Sequence, residues 1–342
     1  MGNVDSEDPG RRARLEKPRY RSEEPGAMRR FVLVASESHI ALKAAEFLTG
    51  DPRAELAAVF VDPIGGGRLV RYAKERGISV YPADVIRKAE AVKLCNRLDP
   101  DWLLNAYGTV IIPAAVLRLF PGRALNVHPG PLPEYGGLHM NQWALRNGET
   151  RFGATLHLMD DGIDTGPVVA KEWFEITPSD TGLTLFTRTQ HVAIRLLHKV
   201  LQDILTGQDL RPVVQDLSRL RVYRHAEALD GTIDWHWSAT QIVDFVRAGN
   251  YRPFESPTYT AYVEVAEGAR IEVLRAKAGA CAREAPGTVV EMGADGPRVA
   301  CGAGESVFLA KAEADRVPLT TADWRTRLKG LPKTELRGRS RG

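Results

Sequence analysis

From Arg30 onward the chain repeats one pattern: a short run that is apolar on both faces, then a stretch with an apolar residue every three or four positions. FVLVAS (31–36) leads into IALKAAEFL, and AAVFVDP (57–63) leads into RLVRYAKERG. The pattern continues through ISVYPA (78–83), an amphipathic stretch from Val85 to Asn96, DWLLNAYG (101–108), a short helix after Pro113 and ALNVH (124–128). Strands with no polar face alternating with helices are what a parallel sheet covered on both sides requires. The expected class is therefore α/β.

Two more strands, ATLHLMD (154–160) and VVAKEWFEI (168–176), precede a long helix that Ser179 or Asp180 can cap. Its apolar positions Leu183, Phe186, Ile194, Leu197 and Leu201 share one face, and it ends near Gly207. Asp209 to Leu229 has weak periodicity and many charges and reads as a linker over the surface. Beyond it, SATQIVDFVRA (238–248) reads as a helix capped by Ser238. AYVEV, RIEVLRA, GTVVEMG, PRVACG and SVFLAKA, separated by Gly turns, suit a small β-barrel or sandwich. The expected organisation is a disordered leader (1–28), a catalytic domain (29–208), a linker (209–229), a β-rich domain (230–320) and a basic tail (321–342).

Composition narrows the function classes. Among 342 residues, 46 Lys and Arg stand against 43 Asp and Glu, a net charge of +3 that argues against an electrostatic nucleic-acid binder. The longest apolar runs fall well short of the roughly 20 residues a membrane span needs, and the Arg-, Glu- and Pro-rich start has no apolar core of a secretory signal. Cys95, Cys281 and Cys301 are widely spaced and odd in number, which suggests reduced thiols and a cytoplasmic protein.

Familiar motifs are absent. The turn after the first strand reads SESHIALK, without G-x-G-x-x-G, and there is no P-loop, H-E-x-x-H, G-x-S-x-G or EF-hand loop. What remains is ALNVHPGPLPEYGG (124–137) followed by GATLHLMDDGIDTGPVV (153–169). Alternation puts Asn126 and His128 on one face at the end of an apolar strand. Ligands of open α/β sheets bind at that end. An amide donor, an imidazole and a carboxylate such as Asp164 form a set suited to acyl transfer to an amine. On the residues alone the plainer alternative is stronger: Asn126 holds a strand end, His128 is a satisfied core histidine, and Asp160, Asp161 and Asp164 decorate a turn. A metal site at the three carboxylates lacks the oxygen-rich spacing such a site needs.

At these same residues the chain resembles the formyltransferases that use 10-formyltetrahydrofolate. The family pattern N-x-H-x-x-x-L-P, then a Gly-rich turn, then D-x-G-x-D-x-G, is supplied by Asn126, His128, Leu132, Pro133, Asp161, Gly162, Asp164 and Gly166. NAYGTVIIP is similar to the family's A-Y-G-x-x-L-P loop, and GTIDWHWSATQIVDFVRA to the opening of the C-terminal domain of some members. The resemblance implies a Rossmann-like catalytic domain with a smaller C-terminal OB-like β-rich domain. It implies that Asn126 and His128 hold the formyl oxygen and that Asp164 assists proton transfer. It places the folate against Tyr107, Gly108, Ile112, Pro113, Asp160, Asp161 and Gly162, with no metal.

The chain departs from many relatives at Gly130-Pro131 and Gly136-Gly137, on the acceptor side, and has only PIGGG between Asp62 and Arg68, where methionyl-tRNA enzymes carry a longer basic loop. The expected function is transfer of a formyl group from 10-formyltetrahydrofolate to the amine of a small molecule, an amino sugar or another natural-product precursor. The expected partners are therefore folate and a small-molecule amine, without membrane or nucleic acid, and a homodimer is left open. Alternatives are a methionyl-tRNA formyltransferase, a 10-formyltetrahydrofolate hydrolase and an inactive folate-binding module. His225, Trp235, His236, Trp237 and Tyr251 are candidates for an acceptor groove, set against core packing.

Overall fold

The computed structural model describes residues 27–62, 65–224, 230–265, 269–328 and 336. The first half runs β1 (Arg29–Ser36), α1 (His39–Gly50), β2 (Ala54–Asp62), α2 (Arg68–Glu75), β3 (Ser79–Pro82), α3 (Ala91–Leu98), β4 (Trp102–Ala106), α4 (Ala114–Leu117) and β5 (Ala124–His128). It continues with β6 (Gly136–Gly137), α5 (Met140–Arg146), β7 (Arg151–Leu158), β8 (Val168–Glu175) and α6 (Gly182–Leu205). The second half contains β9 (Val222–Tyr223), α7 (Ala239–Gly249), β10 (Tyr262–Glu264), β11 (Arg270–Ala278), β12 (Val289–Gly293), β13 (Gly296–Cys301), β14 (Glu305–Ala314), β15 (Val317–Pro318) and α8 (Thr321–Arg327).

Seven strands form one sheet in the order β3-β2-β1-β4-β5-β7-β8. The first five are parallel, and their order reverses between β1 and β4, opening a crevice at the carboxyl ends of those strands. β7 and β8 are antiparallel to their neighbours, so the sheet is mixed rather than purely parallel. The short 159–167 connection cannot make the crossover that a parallel β7–β8 pair would need. Both faces are covered: Phe31, Leu33 and Val59 pack under α1 and α6, while Val32, Val34 and Phe60 pack under α3 and α4. Each fully buried Leu, Val or Phe here contributes roughly 2 kcal/mol.

The long helix starts later than its sequence suggests. Thr181, not Ser179 or Asp180, is the N-cap, in a reciprocal box with Thr184. Asp180 instead accepts from Thr177 N–H and pairs with Arg188. Ser238 caps α7 as expected, with Gln241 completing the box. The stretch from Val85 splits into a 3₁₀ turn (Ala83–Arg87) and α3.

The C-terminal unit is a separate antiparallel sheet ordered β10-β11-β14-β13-β12, with β15 on β14. Its own core contains Trp235, Ile242, Phe245, Val263, Ile271, Leu309 and Trp324. Two readings shift here. α8 and the buried Leu336 carry packed structure into the segment read as a basic tail, because Trp324 and Leu336 are apolar anchors among its charges. The supposed surface linker pairs its β9 with β6 and buries Tyr223 and Gln215. Residues 1–26 of the expected leader, His225 to Leu229, and 329–335 and 337–342 of the expected tail lie outside the described residues. Among the described residues no helix is long and apolar enough to cross a membrane.

The two units meet through α5. Asn141 donates to Tyr251 Oη at 2.6 Å and to Gly182 O at 3.0 Å. Gln142 donates to Ser256 Oγ at 3.1 Å and accepts from Thr258 Oγ1 at 2.8 Å. Gln142 finds its partners across the junction and Asn141 bridges α6 and Tyr251, so the junction is specific in register as well as apolar.

Candidate active site

β5 and β7 run side by side with Asn126 opposite His157 and His128 opposite Thr155. Antiparallel register therefore places a second imidazole beside the predicted pair. His157 Nδ1 lies 2.7 Å from the carbonyl oxygen of Leu158, an obligate acceptor, so Nδ1 carries the proton. That leaves His157 Nε2 to accept from Asn126 Nδ2 at 2.9 Å. The amide carries two N–H groups, and the second points to the cavity that Asn126 lines.

The same logic fixes His128. Its Nε2 lies 2.6 Å from the carbonyl oxygen of Tyr135 and donates to it, so Nδ1 is the nitrogen turned towards Asp164. Asp164 Oδ1 stands 3.4 Å from His128 Nδ1 and 3.7 Å from His157 Nε2. The ring is thus aimed by a backbone carbonyl, and the carboxylate faces its working nitrogen. Burial lowers the proton affinity of His128, against the attraction of Asp164. Burial opposes ionisation of Asp164 too, but the neighbouring His128 and His157 imidazoles and the Gly137 amide outweigh it and hold the carboxyl below its usual range.

Asp164 reaches this position from a strained turn. Its φ is +58°, in the left-handed region that a non-glycine residue adopts at a cost. Two contacts hold it there: Gly137 N–H donates to Oδ2 at 2.8 Å, and Gln215 Nε2 donates to the carbonyls of Asp164 (2.9 Å) and Gly166 (2.6 Å). Gly137 has φ +89°, and a Cβ there would stand 2.2 Å from Tyr223 O, so only glycine brings this amide under the carboxylate.

These groups lie on a cavity of about 1230 Å³ that extends from the β4–α4 loop, past the Asp164 turn, to the 251–257 loop of the C-terminal unit. Asn126, His128 and Asp164 all line it, as do Tyr107, Gly108, Ile112, Asp160, Asp161 and Gly162. Pro113 stands just behind, as the N-cap of α4. Tyr107, at φ +67°, has its phenol pushed up to about 12 by burial. Asp160 Oδ1 accepts from Gly162 N–H at 3.1 Å and Thr165 Oγ1 at 2.5 Å, which closes the turn. Of the aromatic candidates Tyr251 lines the cavity, Trp235 is buried in the C-terminal core with Trp237 packed on it, and His236 pairs with Asp234. His225 lies outside the described residues.

Sequence reasoning missed His157, Tyr135 and Gln215, and read Gly137 only as an acceptor-side departure. Only the H of ATLHLMD, two positions from Thr155 on an otherwise apolar strand, offered a signal. Chemically, the site offers an amide N–H, an imidazole and an ionised carboxylate around one point, walled by apolar side chains such as Ile111, Ile163 and Met159 and by backbone polar groups. Such walls fit a flat heteroaromatic ring with a polar edge. Among the described residues no group of three or more His, Cys, Asp or Glu is placed to hold a metal ion.

Known proteins match this architecture. The formyl transferase model matches residues 67–201, and the model of the formyl transferase C-terminal domain matches residues 227–328. A methionyl-tRNA formyltransferase of Anaeromyxobacter sp. (strain K) is 30% identical over 269 residues, 76% of this chain and 84% of the relative. The N-formyltransferase of Helicobacter canadensis, solved with folinic acid and dTDP-3-aminofucose, superposes with a TM-score of 0.64 at 17% identity, over 82% of this chain and 99% of that one. WlaRD, a sugar 3N-formyl transferase solved with dTDP and 5-N-formyl-THF, gives a TM-score of 0.63 at 19% identity, over 85% and 99% of the two chains.

Proposed function

The chain belongs to the folate-dependent formyl transferase family, and from that premise we propose that it moves a formyl group from 10-formyltetrahydrofolate to the amine of a small molecule, an amino sugar or another natural-product precursor. The observation that carries the reading is the meeting of Asn126, His128 and Asp164 on one cavity bounded by both units. Asn126 Nδ2–H donates to the formyl oxygen as it gains negative charge, and His128 joins it as a donor once Nδ1 carries a proton. The acceptor nitrogen bonds to the formyl carbon, and Asp164 takes its proton. The bond from that carbon to N10 of the donor then breaks, and N10 receives the proton. Tyr107, Gly108, Ile112, Pro113 and the 160–162 turn hold the donor.

A small acceptor is favoured over a tRNA by charge. Residues 230–328 contain eleven Lys and Arg against fourteen Asp and Glu. Several of those cations are already paired, Arg252 with Glu272 and Glu313, Arg298 with Glu291 and Arg316 with Glu255. Gripping tRNA means neutralising several phosphates. The second reading, methionyl-tRNA formyltransferase, draws on the 30% identity to a relative of that name. Incubating the purified chain with 10-formyltetrahydrofolate and either amine panels or Met-tRNA, and following the acceptor's mass, separates the two. Met-tRNA formylated as fast as the best small amine, with strongly salt-dependent binding, overturns the first.

A further inference from the structure

We infer that the acceptor is a phosphate-free amine carried on an apolar body, which excludes nucleotide-linked amino sugars. This rests on the small-amine reading above and narrows it.

The first observation is the charge of the cavity. Among the described residues that line it, Arg224 is the one Lys or Arg, while Asp160, Asp161, Asp164 and Glu255 are acidic. A nucleoside diphosphate would bring two negative charges into this lining. Phosphate groups are held by Arg and Lys or by open helix N-termini. The helix starts that follow β1 and β2 are both taken by the chain's own oxygens. Ser38 Oγ accepts from Ala41 N–H at the start of α1 (3.2 Å). At α2 the Glu37 carboxylate accepts from Leu69 and Val70 N–H, both at 3.1 Å. That cap is built in: a Cβ at Gly67 would lie 2.0 Å from Glu37 Cδ. Neither helix start is among the residues that line the cavity, so neither adds a phosphate grip to it. An alkyl ammonium, by contrast, is drawn to the acidic lining before it gives up its proton.

The second observation is independent of charge. Of the large apolar side chains left exposed, Leu138 (47%) and Phe254 (64%) line the cavity on the side away from the folate-assigned loops. Neither belongs to a loose segment. Phe254 N–H donates to Tyr251 O at 2.8 Å, and the loop beyond it is tied to Gln142 of α5 through Ser256 and Thr258. Leu138 N–H donates to Tyr223 O at 2.9 Å. Two apolar side chains held in water on anchored backbone, on one cavity beside a reactive centre, mark a surface that a ligand covers.

The test compares three amine classes at saturating 10-formyltetrahydrofolate with the full chain: 2-phenylethylamine and leucine methyl ester, free glucosamine, and a dTDP-linked amino sugar. The apolar amines should exceed the nucleotide-linked sugar in kcat/KM by ~100-fold or more. Phe254→Ser should raise KM for the apolar amines about 10-fold or more with kcat within about twofold, and Phe254→Leu should restore it, since the lost contact is uniform apolar burial. Donor KM should not move. If either sugar is turned over faster than both apolar amines, or Phe254→Ser leaves their KM unchanged, the inference falls while small-amine formylation stands. If no amine of any class is formylated, the proposed function itself falls, and the inference with it.

Discussion

Replacing Asp164 by Asn changes one charge and almost no volume, which makes it a clean probe of the proposed proton transfer. In the native site Oδ2 accepts from Gly137 N–H at 2.8 Å, and Oδ1 faces His128 Nδ1 at 3.4 Å. An Asn oxygen can keep the Gly137 hydrogen bond, so the turn and its Gln215 clamp should survive. What is lost is the field at the imidazole. Two unit charges at that separation, with an effective dielectric of about 20, interact by about 5 kcal/mol. Without it there is no carboxylate to take the amine proton and no negative charge to stabilise His128 when its ring gains one, and general acid–base assistance of ~10²–10⁴-fold is forfeited. Single-turnover formylation followed by mass spectrometry should show that drop, with Tm within a few degrees of wild type. The His128 imidazole, followed by NMR, should titrate at lower pH still, because an attractive charge has been removed from a buried ring. Asp160→Asn and Asp161→Asn provide the contrast. Asp160 serves Gly162 and Thr165 in the turn and Asp161 is exposed, so these variants should raise donor KM and leave kcat within about tenfold. An Asp164→Asn enzyme that keeps more than a tenth of wild-type turnover, or an Asp160→Asn enzyme that falls further, would refute this account.

Asn126→Ala and His128→Ala should each slow the chemical step by ~100-fold or more, the cost of one oxyanion donor; near wild-type single-turnover rates in either would remove that residue from the site. Stability should fall as pH drops below about 4, where the unfolded chain protonates an Asp that the fold keeps ionised. In Tm-versus-pH profiles Asp164→Asn should flatten that acid limb, and an unchanged slope would mean that the carboxyl is not held below its usual range. Gln215→Ala releases the carbonyls of Asp164 and Gly166, so kcat should fall about tenfold while donor KM moves little; wild-type kcat would show that the strained turn holds itself. Gly137→Ala should lower Tm by several degrees, because the new methyl group meets Tyr223 O; a normal melt would contradict the close approach at that strand pair.

The alternation of two-sided apolar runs with helical periods was enough to read a helix-covered sheet with a β-rich unit behind it, because both signals are local and each run reports its own burial. Asn126 and His128 were legible for the same reason: period two along one strand places them on one face, and Pro129 marks the strand end. Ser238 was legible because a cap is a contact between neighbours three residues apart. Everything decided by pairing between distant segments was not. β7 carries no mark of its direction, and only its antiparallel register beside β5 brings His157 onto Asn126 and fixes which ring nitrogens hold protons. Asp164 reads in sequence as one of three turn carboxylates, and becomes distinct through the Gly137 amide and the Gln215 clamp, both remote in the chain. Gln215 and Tyr223 sit in a stretch without periodicity, which says little about burial when single side chains rather than a whole face are inserted. The cavity itself belongs to neither unit alone. α5 must dock on the 251–258 loop before Leu138 and Phe254 face the same space, and that docking rests on buried amide hydrogen bonds spanning more than a hundred residues, which no local pattern encodes.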